Sequence, residues 1–132
     1  MIVLADTSAW VEVLRRTGSP TATAMRRRLE RDEVATTDVV ITEVLAATTD
    51  PDRLAAWRRA LDASRYLAQQ PYTDALDAAR LYRECRSNGE SPRQLTDCLI
   101  AAVAIRNDVA VLHRDRDFDV LARHTELEVS SA

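Results

Sequence analysis

Four carboxylates stand where a folded chain has little use for charge. Asp6 ends the apolar run IVLA, and Glu43 is bracketed by VVIT and VLAA. Asp97 leads into CLIAAVAI, and Asp115 follows the run VAVL by a few residues. A carboxylate at the margin of a core costs several kcal/mol unless it finds a partner or takes up a proton. Arginine can supply the partner, since Arg93 precedes Asp97 by one helical turn. Taken singly, Asp6 also suits a helix cap, Glu43 an exposed helical acid, and Asp115, within HRDRDFD, a solvated loop acid. Taken together, the four call for a common compensating charge. Oxygen donors suit a hard divalent cation such as Mg²⁺ or Mn²⁺. One or two such ions can activate a water and stabilise the leaving oxygen of a phosphodiester.

The elements that must position these acids follow from the pattern. Residues 2–5 and 109–112 are short continuous apolar runs, and weaker strand candidates lie at 34–36, 66–68 and near 127–129. Helices are expected over about 8–16, 20–32, 38–48, 51–63, 73–87, 93–107 and 117–123. Asp38 is the expected cap of the third, and Thr73 and Asp74 are expected to open the fifth. Asn88–Gly89 closes the fifth helix. Strands buried on both faces, alternating with helices, describe a single α/β domain over residues 1–132, three-layer α/β/α with a short, mainly parallel sheet. In such sheets ligands bind beyond the carboxyl ends of the strands. If the strands before Asp6 and Asp115 are neighbours, both acids meet there.

Composition excludes several chemistries. All 18 basic residues are Arg, so a P-loop lysine is impossible, as are phosphatase and receiver chemistries that need Lys. Only Gly18 and Gly89 are present, which rules out a dinucleotide fingerprint. Cys85 and Cys98 match no zinc spacing, Cys98 in its apolar run reads as core packing, and a reduced, cytoplasmic protein is expected. The apolar runs are too short for a signal peptide or a membrane span. A Ser8–His113–acid triad lacks the G-x-S-x-G elbow. His124 is expected on the surface, and Phe118 as an anchor for the last helix. Trp10, Val11 and Leu14 suit either core or a partner-binding groove.

The segments IVLADTSAW, ITEVLA and RQLTDCLIAAVAIRNDVAVLHRDRDFDVLA, in this order, resemble a PIN domain of the VapC toxin type over nearly the whole chain. The resemblance implies catalytic Asp6, Glu43, Asp97 and Asp115, with Asp6, Asp97 and Asp115 on the metal. Ser8 matches a supporting hydroxyl and Asp117 an additional acid. His113 replaces the commoner Thr or Ser and takes a supporting place. The implied activity is a Mg²⁺- or Mn²⁺-dependent endoribonuclease leaving a 5′-phosphate and a 3′-hydroxyl. Implied partners are RNA, a VapB-type antitoxin and a second copy of the chain, with a heterotetramer or larger assembly in the complex. Arg93 is the foremost RNA-binding arginine, and few aromatics are present to stack bases. Rival readings are a structure-selective DNA nuclease, a phosphatase of similar fold, or a non-catalytic binding module.

Overall fold

The computed structural model describes residues 1–130. Strands β1 (Val3–Ala5), β2 (Val34–Thr36), β3 (Arg65–Tyr66), β4 (Ala110–Leu112) and β5 (Val129–Ser130) form one sheet. Its order is β3-β2-β1-β4-β5, and every pairing is parallel. Helices α1 (Thr7–Leu14) and α2 (Pro20–Glu30) join β1 to β2; α3 (Asp38–Ala46) and α4 (Pro51–Ala63) join β2 to β3. Helices α5 (Pro71–Ser87) and α6 (Leu95–Arg106) join β3 to β4, and α7 (Arg116–His124) joins β4 to β5.

This order carries the functional geometry. From β1 the chain moves one way through β2 and β3, then returns across β1 to β4 and continues to β5. Right-handed crossovers in opposite directions put their helices on opposite faces of the sheet. The direction reverses between β1 and β4, where the diverging connections open a crevice at the carboxyl ends. Leu4 is in register with Val111 and Ala5 with Leu112, so Asp6 and the residues after Leu112 leave the sheet side by side.

Three-residue strands suffice because both faces are covered. Val3, Leu4, Ala5, Val111 and Leu112 are all within 1% of complete burial. Helix α6 is apolar nearly all round, with Cys98, Ile100, Ala101, Ala102, Val103 and Ala104 buried, as expected of a helix enclosed by neighbours. It packs against α5, α7, α3 and β4. Trp10 and Phe118 are the largest fully buried side chains, which makes Trp10 core rather than groove and Phe118 the expected anchor. Cys85 and Cys98 are buried thiols. No helix among the described residues is long and apolar enough to cross a membrane.

Several local expectations are corrected. Thr37, not Asp38, occupies the cap position of α3. Asp38 instead accepts from the Tyr66 hydroxyl (2.6 Å) and the Gln69 N–H (2.7 Å), tying the helix start to the end of β3. Helix α5 begins at Pro71, earlier than Thr73, because proline is at ease in a first turn whose N–H groups lack partners. Asp74 is buried and paired with Arg106 at 2.8 Å, so it links α5 to the end of α6. Helix α6 begins at Leu95, later than 93, because the N–H groups of Arg93 and Gln94 are engaged by Asp117. His124 is not a free surface residue: its Nε2 lies 2.8 Å from Glu90, which also pairs with Arg123.

Candidate active site

Asp6 is both a helix cap and a buried acid. Its extended backbone ends β1 and opens α1, and its Oδ2 accepts from the Ser8 N–H (3.1 Å) and hydroxyl (2.7 Å). The residue is 3% exposed. Burial raises its pKa against the opposing hydrogen bonds from Ser8, and the nearby Glu43 charge adds to the rise. The Ser8 hydroxyl also accepts from the Arg114 N–H at 2.8 Å. One oxygen thus fixes the Asp6 carboxylate and staples the turn after β1 to the turn after β4.

Glu43 arrives from α3. Its Oε1 accepts from the Thr7 hydroxyl at 2.6 Å, which orients the carboxylate from the first turn of α1. It is half-buried and lines the cleft.

Asp97 lies in the first turn of the enclosed helix α6, and Asp117 in the first turn of α7. Burial, the Asp117 carboxyl beside it, and the charges of Asp6 and Asp115 push Asp97 up to about 9. Burial would raise Asp117 as well. The Arg93 N–H, the Asp97 carboxyl, the Gln94 N–H and the Arg93 charge outweigh it and hold Asp117 below the ordinary range. Asp97 Oδ2 and Asp117 Oδ1 are buried with no hydrogen-bond partner as two carboxylates. A shared proton or a divalent ion would satisfy both. Asp115 caps α7, its Oδ1 accepting from the Asp117 N–H at 2.9 Å. Oxygens of Asp97, Asp115 and Asp117 all lie within 4.8 Å of one another.

The acids open on a cleft of about 420 Å³ lined by Asp6, Glu43, Asp97 and Asp115 together with Thr7, Ser8, Val11, Glu12, Gln94 and Arg114. The structure therefore brings together the four acids singled out in the sequence, with Ser8 beside them. Asp117 belongs to the cluster but not to the cleft wall. It is 1% exposed, and its Oδ2 accepts from the N–H of Arg93 (2.9 Å) and of Gln94 (3.1 Å). The donor set is all oxygen and strongly anionic, with Asp97 Oδ2 and Asp117 Oδ1 lacking donors, which fits Mg²⁺ or Mn²⁺ and no soft metal.

Two predicted residues take other places. His113 faces away from this cleft. Its Nδ1 accepts from the Asp115 N–H at 3.0 Å, its Nε2 lies 3.4 Å from Asp119, and its ring packs against Phe118 at 5.3 Å between centroids. It shapes the loop that carries Asp115. Arg93 pairs with Asp115 (3.8 Å) and Asp117 (3.5 Å) instead of Asp97. Sequence reasoning missed Thr7 and Arg114. The hydroxyl directly after Asp6 was the available signal for Thr7. Arg114, which lines the cleft and is held by Glu12, was hidden among the charges of HRDRDFD.

Ser8→Ala removes both bonds of the staple. The expected result is a loss of about 1 kcal/mol in urea unfolding and a roughly tenfold weaker divalent-ion affinity, as for other groups that orient metal ligands. Titration calorimetry beside a denaturation curve checks it; unchanged ion affinity would remove Ser8 from the supporting role.

A family model described as "PIN domain" matches residues 3–124. Ribonuclease VapC11 of Mycobacterium tuberculosis is 39% identical over 132 residues, covering 98% of each chain. Among solved structures, VapBC2 of Rickettsia felis, bound to a DNA fragment from its promoter, superposes with a TM-score of 0.77 at 14% identity, covering 100% of this chain and 99% of that one. VapBC-5 of Mycobacterium tuberculosis, a toxin–antitoxin system, superposes with a TM-score of 0.68 at 26% identity, covering 99% and 98%.

Proposed function

The chain belongs to the PIN-domain family, and from that premise we propose that it is a metal-dependent endoribonuclease, the toxin of a VapBC-type pair. The observation that carries this reading is the convergence of Asp6, Asp97 and Asp115 at the switch point of the sheet, with the buried Asp97 Oδ2 lacking a donor. Residues 1–132 act as one catalytic unit.

Asp6, Asp97 and Asp115 would hold Mg²⁺ or Mn²⁺, and Glu43 completes the catalytic set. The bound ion supplies Lewis acidity, lowering the pKa of a water and neutralising charge on the phosphate. Glu43, oriented by Thr7, takes a proton from the attacking water. The new P–O bond forms as the bond to the 3′-oxygen breaks, and that oxygen takes a proton from solvent, leaving a 5′-phosphate and a 3′-hydroxyl. Ser8 and Asp117 position ligands, and His113 holds the Asp115 loop. Arg114 is placed to meet phosphate in the cleft. Arg93, 67% exposed, offers its outer face to RNA.

A VapB-type antitoxin is the proposed protein partner, supported by relatives whose structures are VapBC complexes. A homodimer, with a heterotetramer or larger assembly in the complex, and a cytoplasmic site of action complete the proposal. The two reduced, buried cysteines agree with the latter.

The test is cleavage by purified protein of RNA, flapped DNA and a phosphomonoester side by side. RNA cleavage is expected only with Mg²⁺ or Mn²⁺, is abolished by chelation, and is lost in a folded Asp6→Ala variant. Preference for flapped DNA or the monoester, or full RNA cleavage by Asp6→Ala, would overturn the assignment. Growth arrest on expression, relieved by the neighbouring upstream gene, checks the partner.

A further inference from the structure

The acid cluster has two sides. Asp6, Asp97 and Asp115 face the cleft, whereas Asp117 and Arg93 are absent from its wall. On the second side the Arg93 guanidinium reaches Asp115 Oδ1 and Asp117 Oδ1 at 3.8 Å and 3.5 Å. No other side-chain cation among the described residues pairs with Asp6, Asp97, Asp115 or Asp117. The placement is built into the backbone. Pro92 is buried, and the Arg93 N–H donates to the same Asp117 carboxylate that its guanidinium approaches. An ion bridging Asp115 and Asp117 would meet positive charge that the guanidinium already supplies there.

We propose that Arg93 takes the place of a second divalent ion, so that each chain binds one ion, on the cleft side, with the Arg93 guanidinium on the other. This rests on the reading of the acids as a metal site. Physically, the guanidinium differs from an ion in three ways. It carries one charge rather than two, it cannot exchange with solvent, and it needs no dehydration on each binding cycle. The cluster is therefore partly neutralised before any ion arrives. Ion binding on the cleft side then needs only Asp6, Asp97 and Asp115 to be supplied with charge. Arg93 acts as a positioning residue: its charge lies beside both Asp115 and Asp117 and offsets their mutual repulsion.

The experiment counts Mn²⁺ bound to the full chain by electron paramagnetic resonance and equilibrium dialysis. Wild type is expected to bind one ion. Arg93→Ser, which opens the second side, is expected to bind two, and Arg93→Gln, which removes the charge while keeping bulk, is expected to do the same. Arg93→Lys keeps a cation there and is expected to remain at one. Each substitution retains the backbone N–H that anchors Asp117, and the side chain is largely exposed, so the fold survives. Two ions in wild type, or one ion in both neutral variants, overturns the proposal. No ion in wild type at millimolar Mn²⁺ is a different result: it removes the metal site itself.

Discussion

Asp97→Asn is expected to abolish cleavage while making the ion-free protein more stable at pH 8. The carboxyl of Asp97 is 5% exposed, lies against Asp117, and has an oxygen with no donor. Its pKa is raised from 3.8 to about 9. A carboxyl raised in the folded state contributes its full stability below the unfolded value, near 4. That contribution drains away as pH rises toward 9, because the folded state holds a proton the unfolded state has released. The asparagine side chain reproduces the protonated form: its amide donates toward Asp117 and carries no charge at any pH. The variant should exceed wild type by on the order of 2 kcal/mol at pH 8, by analogy with neutralising other buried, poorly compensated charges. The gap should close below about pH 4. Thermal melts with chelator, from pH 4 to pH 9, measure it. Saturating Mg²⁺ should reverse the order, since an ion bound only by folded wild type stabilises it by mass action. A variant less stable than wild type at pH 8 without metal would refute the account of Asp97 as a strained ligand.

The second large effect concerns Asp117, whose part is architectural as well as electrostatic. Asp117→Ala leaves the N–H groups of Arg93 and Gln94 without their acceptor, at a buried position 2.9 Å and 3.1 Å away. Each orphaned donor costs about 1–3 kcal/mol, so a loss of roughly 3 kcal/mol is expected. The segment leading into α6 then loosens, Asp97 moves with it, and activity falls with stability. Asp117→Asn keeps a carbonyl oxygen for both N–H groups and should recover most of the stability, to within about 1 kcal/mol of wild type. Urea unfolding of the two variants separates the roles. Equal losses for Ala and Asn would show that the charge, rather than the two backbone bonds, is what Asp117 provides.

The central part of this molecule is legible because it rests on continuous patterns. IVLA and VAVL announce buried parallel strands, and an acid after each points to the switch point once the two are neighbours. The seven helices among the described residues follow from periodicity, prolines and capping residues. What stays hidden depends on contacts between distant segments. Edge strands β3 and β5 are two residues long and carry too little pattern to bound. Asp38 reads as a local cap because its partners, Tyr66 and Gln69, lie about thirty positions away. Arg93 reads as one turn from Asp97, but the helix starts two residues after it and its side chain turns to α7 instead. Asp115 and Asp117 both lie in one charged run. Only the tertiary structure sends the first to the cleft wall and the second beneath it.

The bond from the Arg114 N–H to the Ser8 hydroxyl spans 106 positions of the chain. It ties the turn after β1 to the turn after β4, a strand made much later in the chain and inserted beside β1. Until β4 emerges, β1 has an open edge in the middle of the future sheet, and Asp6 lacks Asp115 across the cleft. Asp115 and Asp117 come later still, after β4 and at the start of α7. Long-range pairing of this kind is closed late in folding. A chain that has not yet reached that segment thus carries strands, helices and Asp6, yet not the assembled acid cluster. The topology itself delays assembly of the acid cluster until the segment that follows β4 has been made.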